Sequence, residues 1–95
     1  MPAVVRQGDT GTGHGPFPPR ANTGGSPDVL VNGLGVHRQG DPWASHCDPS
    51  PSCHPGAAAG GSGTVLANGM PVMRIGDDVD CGSAAAQGSG DVFAG

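Results

Sequence analysis

Ser62–Cys81, SGTVLANGMPVMRIGDDVDC, reads as one complete structural unit. Thr64–Ala67 is expected to be a strand. Asn68-Gly69 is a strong hairpin signal, because both central residues of a type I′ turn need positive φ. Pro71–Ile75 returns as the second strand, and Gly76-Asp77 stops it. Cys81 follows four residues after Asp77. The same order of events runs earlier through Ser26–His46, SPDVLVNGLGVHRQGDPWASH. There Asp28–Val31 leads into Asn32-Gly33, Gly35–Arg38 returns, and Gly40-Asp41 stops.

A third copy is split between the chain ends. Gly88–Ala94, GSGDVFA, matches the first strand of a unit, and Ala3–Asp9, AVVRQGD, matches a second strand. Pairing Val92-Phe93 antiparallel with Val4-Val5 would complete a third hairpin across the termini and remove two exposed sheet edges. Three Arg-x-Gly-Asp stops result, at Arg6/Asp9, Arg38/Asp41 and Arg74/Asp77. Each Asp is expected to accept backbone N–H bonds at its corner, and each Arg to bond nearby carbonyls or an Asp. The expected fold class is all-β: a small cone of three pseudo-symmetric β-hairpin repeats, one closed by the N- and C-terminal strands, forming a single domain over residues 1–95.

Composition agrees with a turn-dense repeat. Glycine (19) and proline (10) together make about 30% of the chain, and periodicity separates this from a disordered segment. The hydrophobic fraction is 35%, with one tryptophan, two phenylalanines and no tyrosine, so no large core is available. All eight acids are aspartate and all four basic side chains are arginine, which leaves strong helix formers scarce. A net charge of −4 and the lack of a basic patch argue against nucleic-acid binding. No apolar run approaches the roughly 20 residues a membrane span needs. Met1 leads straight into the first repeat strand, so no signal peptide is expected.

The connections carry the candidate chemistry. Thr10–Pro27, Pro42–Gly63 and Gly82–Gly88 read as loops, the first two rich in proline. Ala57–Gly63 has at most one helical turn. His14 lies five residues after Asp9, His46 five after Asp41 and Cys81 four after Asp77. Pseudo-threefold packing would bring these three to one axis. A structural zinc wants four N/S ligands in a tetrahedron. His54, from the longest loop, is the choice for the fourth, with adjacent Cys53 as the competing candidate. The predicted metal ligands are therefore His14, His46, His54 and Cys81, with structural Zn2+ as cofactor. Cys47 and Cys53 could form a disulfide, stay free or ligate. His37 lies outside this register and reads as an ordinary surface or hairpin-packing residue. Trp43 reads as a packing residue under the second loop.

The repeated hairpin with Pro71-Val72-Met73-Arg74, the Asn-Gly turns, the Gly-Asp stops and the opening GDTGTGHG (Gly8–Gly15) resemble the PAAR-repeat proteins over essentially the whole chain. The second unit departs from the motif, with Gly35-Val36-His37-Arg38, as does the first, with Ala3-Val4-Val5-Arg6; Cys47 and Cys53 are extra. The resemblance implies a structural, membrane-piercing tip that caps the trimeric β-helical spike of a type VI secretion system or contractile phage tail. It implies one monomer bound at its base to a trimeric VgrG-like or phage baseplate spike, and placement at the apex of that spike. His14, His46, His54 and Cys81 fall where the family's three histidines and one cysteine would fall. The expected contact residues are Val29, Leu34, Val65 and Met70. A rival reading is a zinc-stabilised adaptor that recruits effector cargo to the spike. A zinc hydrolase would need an open ligand position and a general base; four ligands and the absence of glutamate count against it, so no enzymatic activity is expected.

Overall fold

The two Asn-Gly turns form as their chemistry demands. Asn32 and Gly33 take φ of 55° and 78°, and Asn68 and Gly69 take 54° and 78°, the left-handed pair that joins two strands without splaying them. β1 (Leu30–Val31) thus pairs with β2 (Leu34–Gly35), and further along β5 (Leu66–Ala67) pairs with β6 (Met70–Pro71). The third hairpin closes across the termini. Ala3 bridges Phe93, the Val4 amide donates to the Val92 carbonyl at 3.0 Å, and the Ala94 amide donates to Pro2 at 3.1 Å. This computed structural model describes residues 1–95; it contains no helix, and the fold is all-β.

The register across the termini sits one residue from the expected one, with Phe93 opposite Ala3 rather than Val4. The reason lies in the repeat. Val36 donates to Val29, Val72 to Val65 and Val4 to Val92, the same bond three times. Serine anchors each unit in the same way: the hydroxyls of Ser26, Ser62 and Ser89 accept from the amides of Val29, Val65 and Val92.

These paired strands are shorter than the sequence suggests, because each returning strand leaves its own hairpin for the next unit. Arg6 bridges Val36, Arg38 bridges Val72, and Arg74 bridges Val4. At the centre a closed ring of backbone bonds forms: His37 donates to Val5, Val5 to Met73 and Met73 to His37, each at 2.9 Å. The three ring side chains are fully buried. His37 is therefore not a surface residue. It takes the same inward position as Val5 and Met73, with Nδ1 2.7 Å from the Gly24 carbonyl and its ring edge-on to Trp43.

The Arg-x-Gly-Asp stops make one corner three times. The amide and Nε of each arginine donate to the same carboxylate oxygen of its aspartate, 2.8–2.9 Å away for Arg6–Asp9 and 2.9 Å for Arg38–Asp41 and Arg74–Asp77. Gly8, Gly40 and Gly76 supply the positive φ, 91–93°, that the corner requires.

Beyond the corners the chain forms three further hairpins, and here the expected loops need correcting. Pro42–Gly63 is not a loop but holds the longest hairpin, β3 (Pro42–Cys47) on β4 (Cys53–Ala57), with His46 opposite His54 and Cys47 opposite Cys53. Proline is tolerated because Pro42 starts its strand and Pro55 falls where the register shifts between Trp43 and His46. Thr10–Ala21 folds back on itself through a turn between His14 and Phe17, and Asp78–Ala84 makes the shortest of the three. Asn22–Trp43, Ala58–Val79 and Gly11–Ala85 bridges join the hairpins in a ring. Ala57 ends β4 and Ala58 bridges Val79, so no helical turn forms there.

Two small cores stack along this body, which measures 39 × 24 × 21 Å. Val4, Val36, Ala67, Val72 and Ala94 fill the Asn-Gly end, while Val5, Trp43, Ala58, Met73, Val79 and Ala85 fill the other half. Trp43 is the packing residue expected, buried at 2% exposure.

Candidate metal centre

The four side chains singled out by spacing converge at the end opposite the Asn-Gly turns. The ligating atoms of His14, His46, His54 and Cys81 all lie within 4.8 Å of one another. Each is delivered differently. His46 and His54 face each other across the β3–β4 ladder. His14 sits in a turn in which its amide and carbonyl both bond to Phe17, at 3.0 and 2.9 Å, with Gly15 at positive φ. Cys81 occupies a tight turn in which Gly82, at φ 107°, donates to Val79 at 3.1 Å. A Cβ at Gly13 would stand 2.3 Å from the Phe17 carbonyl oxygen, so only glycine lets the His14 turn close.

The imidazole geometry could hold a cation. His14 Nε2 lies 3.1 Å from the Nε2 atoms of both His46 and His54, and those two are 2.8 Å apart. Three nitrogens facing one point cannot all be satisfied by bonds to each other, since each neutral ring carries one proton. The His46 Nδ1–H donates to the Pro18 carbonyl at 2.8 Å, which leaves Nε2 as a lone pair aimed inward. Burial, together with the neighbouring His46 and His54 rings and Arg20, holds His14 below its ordinary pKa, which favours the neutral ring a metal needs. Cys81 Sγ completes the group 4.0 Å from His46 Nε2. Zinc–nitrogen and zinc–sulfur bonds of about 2.1 and 2.3 Å place tetrahedral ligand atoms roughly 3.4–3.6 Å apart. The residues present fit such an ion with small adjustments.

Burial pushes the Cys81 thiol up, but hydrogen bonds from Ser83 and Arg20 outweigh it and bring the pKa below its ordinary value. A thiolate is the form that binds metal.

Two neighbours escape sequence reading. Phe17 lies over all three imidazoles, with ring centroids 4.9, 5.0 and 4.3 Å from those of His14, His46 and His54. Arg20 is buried beneath them, 3.0 Å from Cys81 Sγ. Neither follows a repeat, so only its place in a short, proline-rich hairpin next to His14 could have pointed to it. Cys47 and Cys53, left open by their spacing, form a disulfide one residue beyond His46 and before His54. They alternate to the opposite face of the ladder from the two histidines, so Cys53 does not compete with His54.

A family model described as the PAAR motif matches residues 7–87, a span that holds all four converging side chains and both Asn-Gly hairpins. No curated protein matches the chain. By that match, the chain belongs to the PAAR-motif family.

Proposed function

We propose that residues 1–95 form a single domain that caps and sharpens the trimeric β-helical spike of a contractile injection machine, with one zinc ion fixing its apex. PAAR-motif proteins are spike-tip proteins of type VI secretion and phage machinery. The observation that carries the reading is at the Asn-Gly end. Leu30 and Leu66 are each 60% exposed and Phe93 is 49% exposed, at equivalent positions of the three units. Val29, Val65 and Leu34 add to this surface, and Met70 is half-buried beside them. Large apolar side chains repeated in threefold register on a small monomer fit a three-chain partner, one unit per subunit. Val29, Leu34, Val65 and Met70 were the contact residues expected; Leu30, Leu66 and Phe93 are more exposed and extend that set to the third unit.

When bound, zinc would cross-link the three outer hairpins; the residues holding it would be His14, His46, His54 and Cys81, with Cys81 as thiolate. Four protein ligands leave no position for a substrate, so the role is structural rather than enzymatic. The apex is then a rigid wedge that contacts the target membrane first. No helix is long and apolar enough to cross a membrane.

The test is copurification with the cognate trimeric spike protein. Leu30→Asp combined with Leu66→Asp is expected to weaken capture by at least about tenfold, since each substitution places a charge in a desolvated apolar contact. Zinc content should be unchanged. Undiminished capture would overturn the assignment of this surface.

A further inference from the structure

Arg20 stands apart from the other three arginines. Arg6, Arg38 and Arg74 each pair with an aspartate three residues on. Arg20 pairs with no carboxylate, yet it is the most buried of the four, at 9% exposure. A buried guanidinium needs its donors satisfied and a counter-charge close by. Each of its three nitrogens has a partner. Nε donates to the Ala44 carbonyl at 2.9 Å, Nη1 to Ser83 Oγ at 2.6 Å and Nη2 to Cys81 Sγ at 3.0 Å. Its plane lies over Trp43, 5.3 Å from the ring centroid. The one partner that also belongs to the converging group is the Cys81 sulfur.

The space is kept for this contact. Gly56 lies alongside, and a Cβ there would stand 2.8 Å from Arg20 Nη2 and 3.3 Å from Cys81 Sγ. Arg20 also joins all three outer hairpins: it belongs to the one bearing His14, binds Ala44 on β3 with His46, and binds Ser83 and Cys81 on the third. No other side chain makes polar contacts of this reach around the centre.

Resting on the metal assignment above, we propose that Arg20 is the positioning residue of the metal centre: its guanidinium aims the Cys81 sulfur at the three imidazoles and draws charge from the metal–sulfur bond. Donors to a ligating sulfur are a recognised way for surrounding residues to tune a metal, and losing one costs about 10–100-fold in affinity.

Cobalt(II) titration of the metal-free protein separates the two ideas. The unaltered chain should bind one cobalt with tetrahedral d–d bands and a sulfur-to-cobalt charge-transfer band; if that band is absent, the metal assignment fails and this proposal with it. Arg20→Met should keep the d–d bands, move the charge-transfer band to lower energy and lose cobalt to a chelator about 10–100-fold more readily. Arg20→Lys, with one point-like donor group in place of three, should fall between. An unshifted band and unchanged affinity in Arg20→Met would overturn Arg20's role while leaving the metal assignment standing. A second measurement needs no variant and so does not depend on Arg20→Met folding. In the native chain loaded with 113Cd2+, the Arg20 Nη2 proton should show scalar coupling to the metal through Cys81 Sγ. An Nη2 proton without that coupling would overturn the proposal.

Discussion

The two ends of this molecule follow different rules. At the Asn-Gly end one unit is made three times, with the same serine anchor, the same valine-to-valine bond and an exposed apolar residue at the same place. At the opposite end three unlike hairpins of different length meet, and one supplies two of the four converging side chains. A threefold arrangement offers three equivalent positions, whereas a tetrahedron has four. A four-ligand site of the kind proposed would account for the longer second unit and for the break in symmetry there. The ring of Val5, His37 and Met73 is where the two halves join.

The sharpest way to break this comparison is to strip any metal from the proposed site. Structural zinc sites are worth roughly 10–16 kcal/mol in apparent terms, and the outer hairpins have one small core beneath them. With a strong chelator, amides of Ala44, Val79 and Ala85 should lose exchange protection, while those of Val36 and Val72 keep more of theirs. Equal loss at both ends would show one cooperative unit rather than two differently built halves. Trp43→Ala comes next, at about 3–5 kcal/mol, because Trp43 fills the metal-side core. Urea unfolding measures it; Leu66→Ala at the exposed end should cost far less.

Reducing the Cys47–Cys53 disulfide, or replacing both cysteines with serine, should cost roughly 2 kcal/mol for so short a loop and speed zinc loss to a chelator. An unchanged rate would show that the β3–β4 ladder alone holds His46 and His54 in place. The smallest effect expected is with pH. Burial holds His37 below its ordinary pKa, against weaker opposing pulls from the Gly24 carbonyl, Asp41 and Asp9. The unfolded chain therefore takes up a proton first as pH falls below about 6.5, and stability from this residue is present above that pH and lost below it. His37→Met, matching Met73, should weaken the acid sensitivity of the Val5–His37–Met73 ring, read by amide exchange of the metal-free protein at pH 7 and pH 5. Identical pH responses would contradict it.

What the residues disclose follows the same division. The base is readable because Asn-Gly, Arg-x-Gly-Asp and the valine pattern recur at fixed offsets, each with a local physical reason. Even the hairpin split across the termini is recoverable, though one residue out of register, because both halves carry the unit's marks. The spacing of His14, His46 and Cys81 after their corners places three of the converging residues, and loop length adds His54. The β3–β4 hairpin is hidden because it lacks an Asn-Gly turn and carries Pro42 and Pro55, whose tolerance depends on a strand start and a register shift. His37 is hidden because buried imidazoles are uncommon, although it precedes Arg38 as Val5 and Met73 precede Arg6 and Arg74. Arg20 and Phe17 belong to no repeat, and only the closed fold brings them to the metal end.

The most direct measurement is metal content set beside folding: native mass spectrometry and elemental analysis of the purified chain, with His46→Ala and Cys81→Ser as comparisons. One zinc per chain is expected, weakened or lost in both variants together with protection at the outer hairpins. A chain that is fully folded without any stoichiometric metal, and unaffected by either substitution, would contradict the metal-built apex.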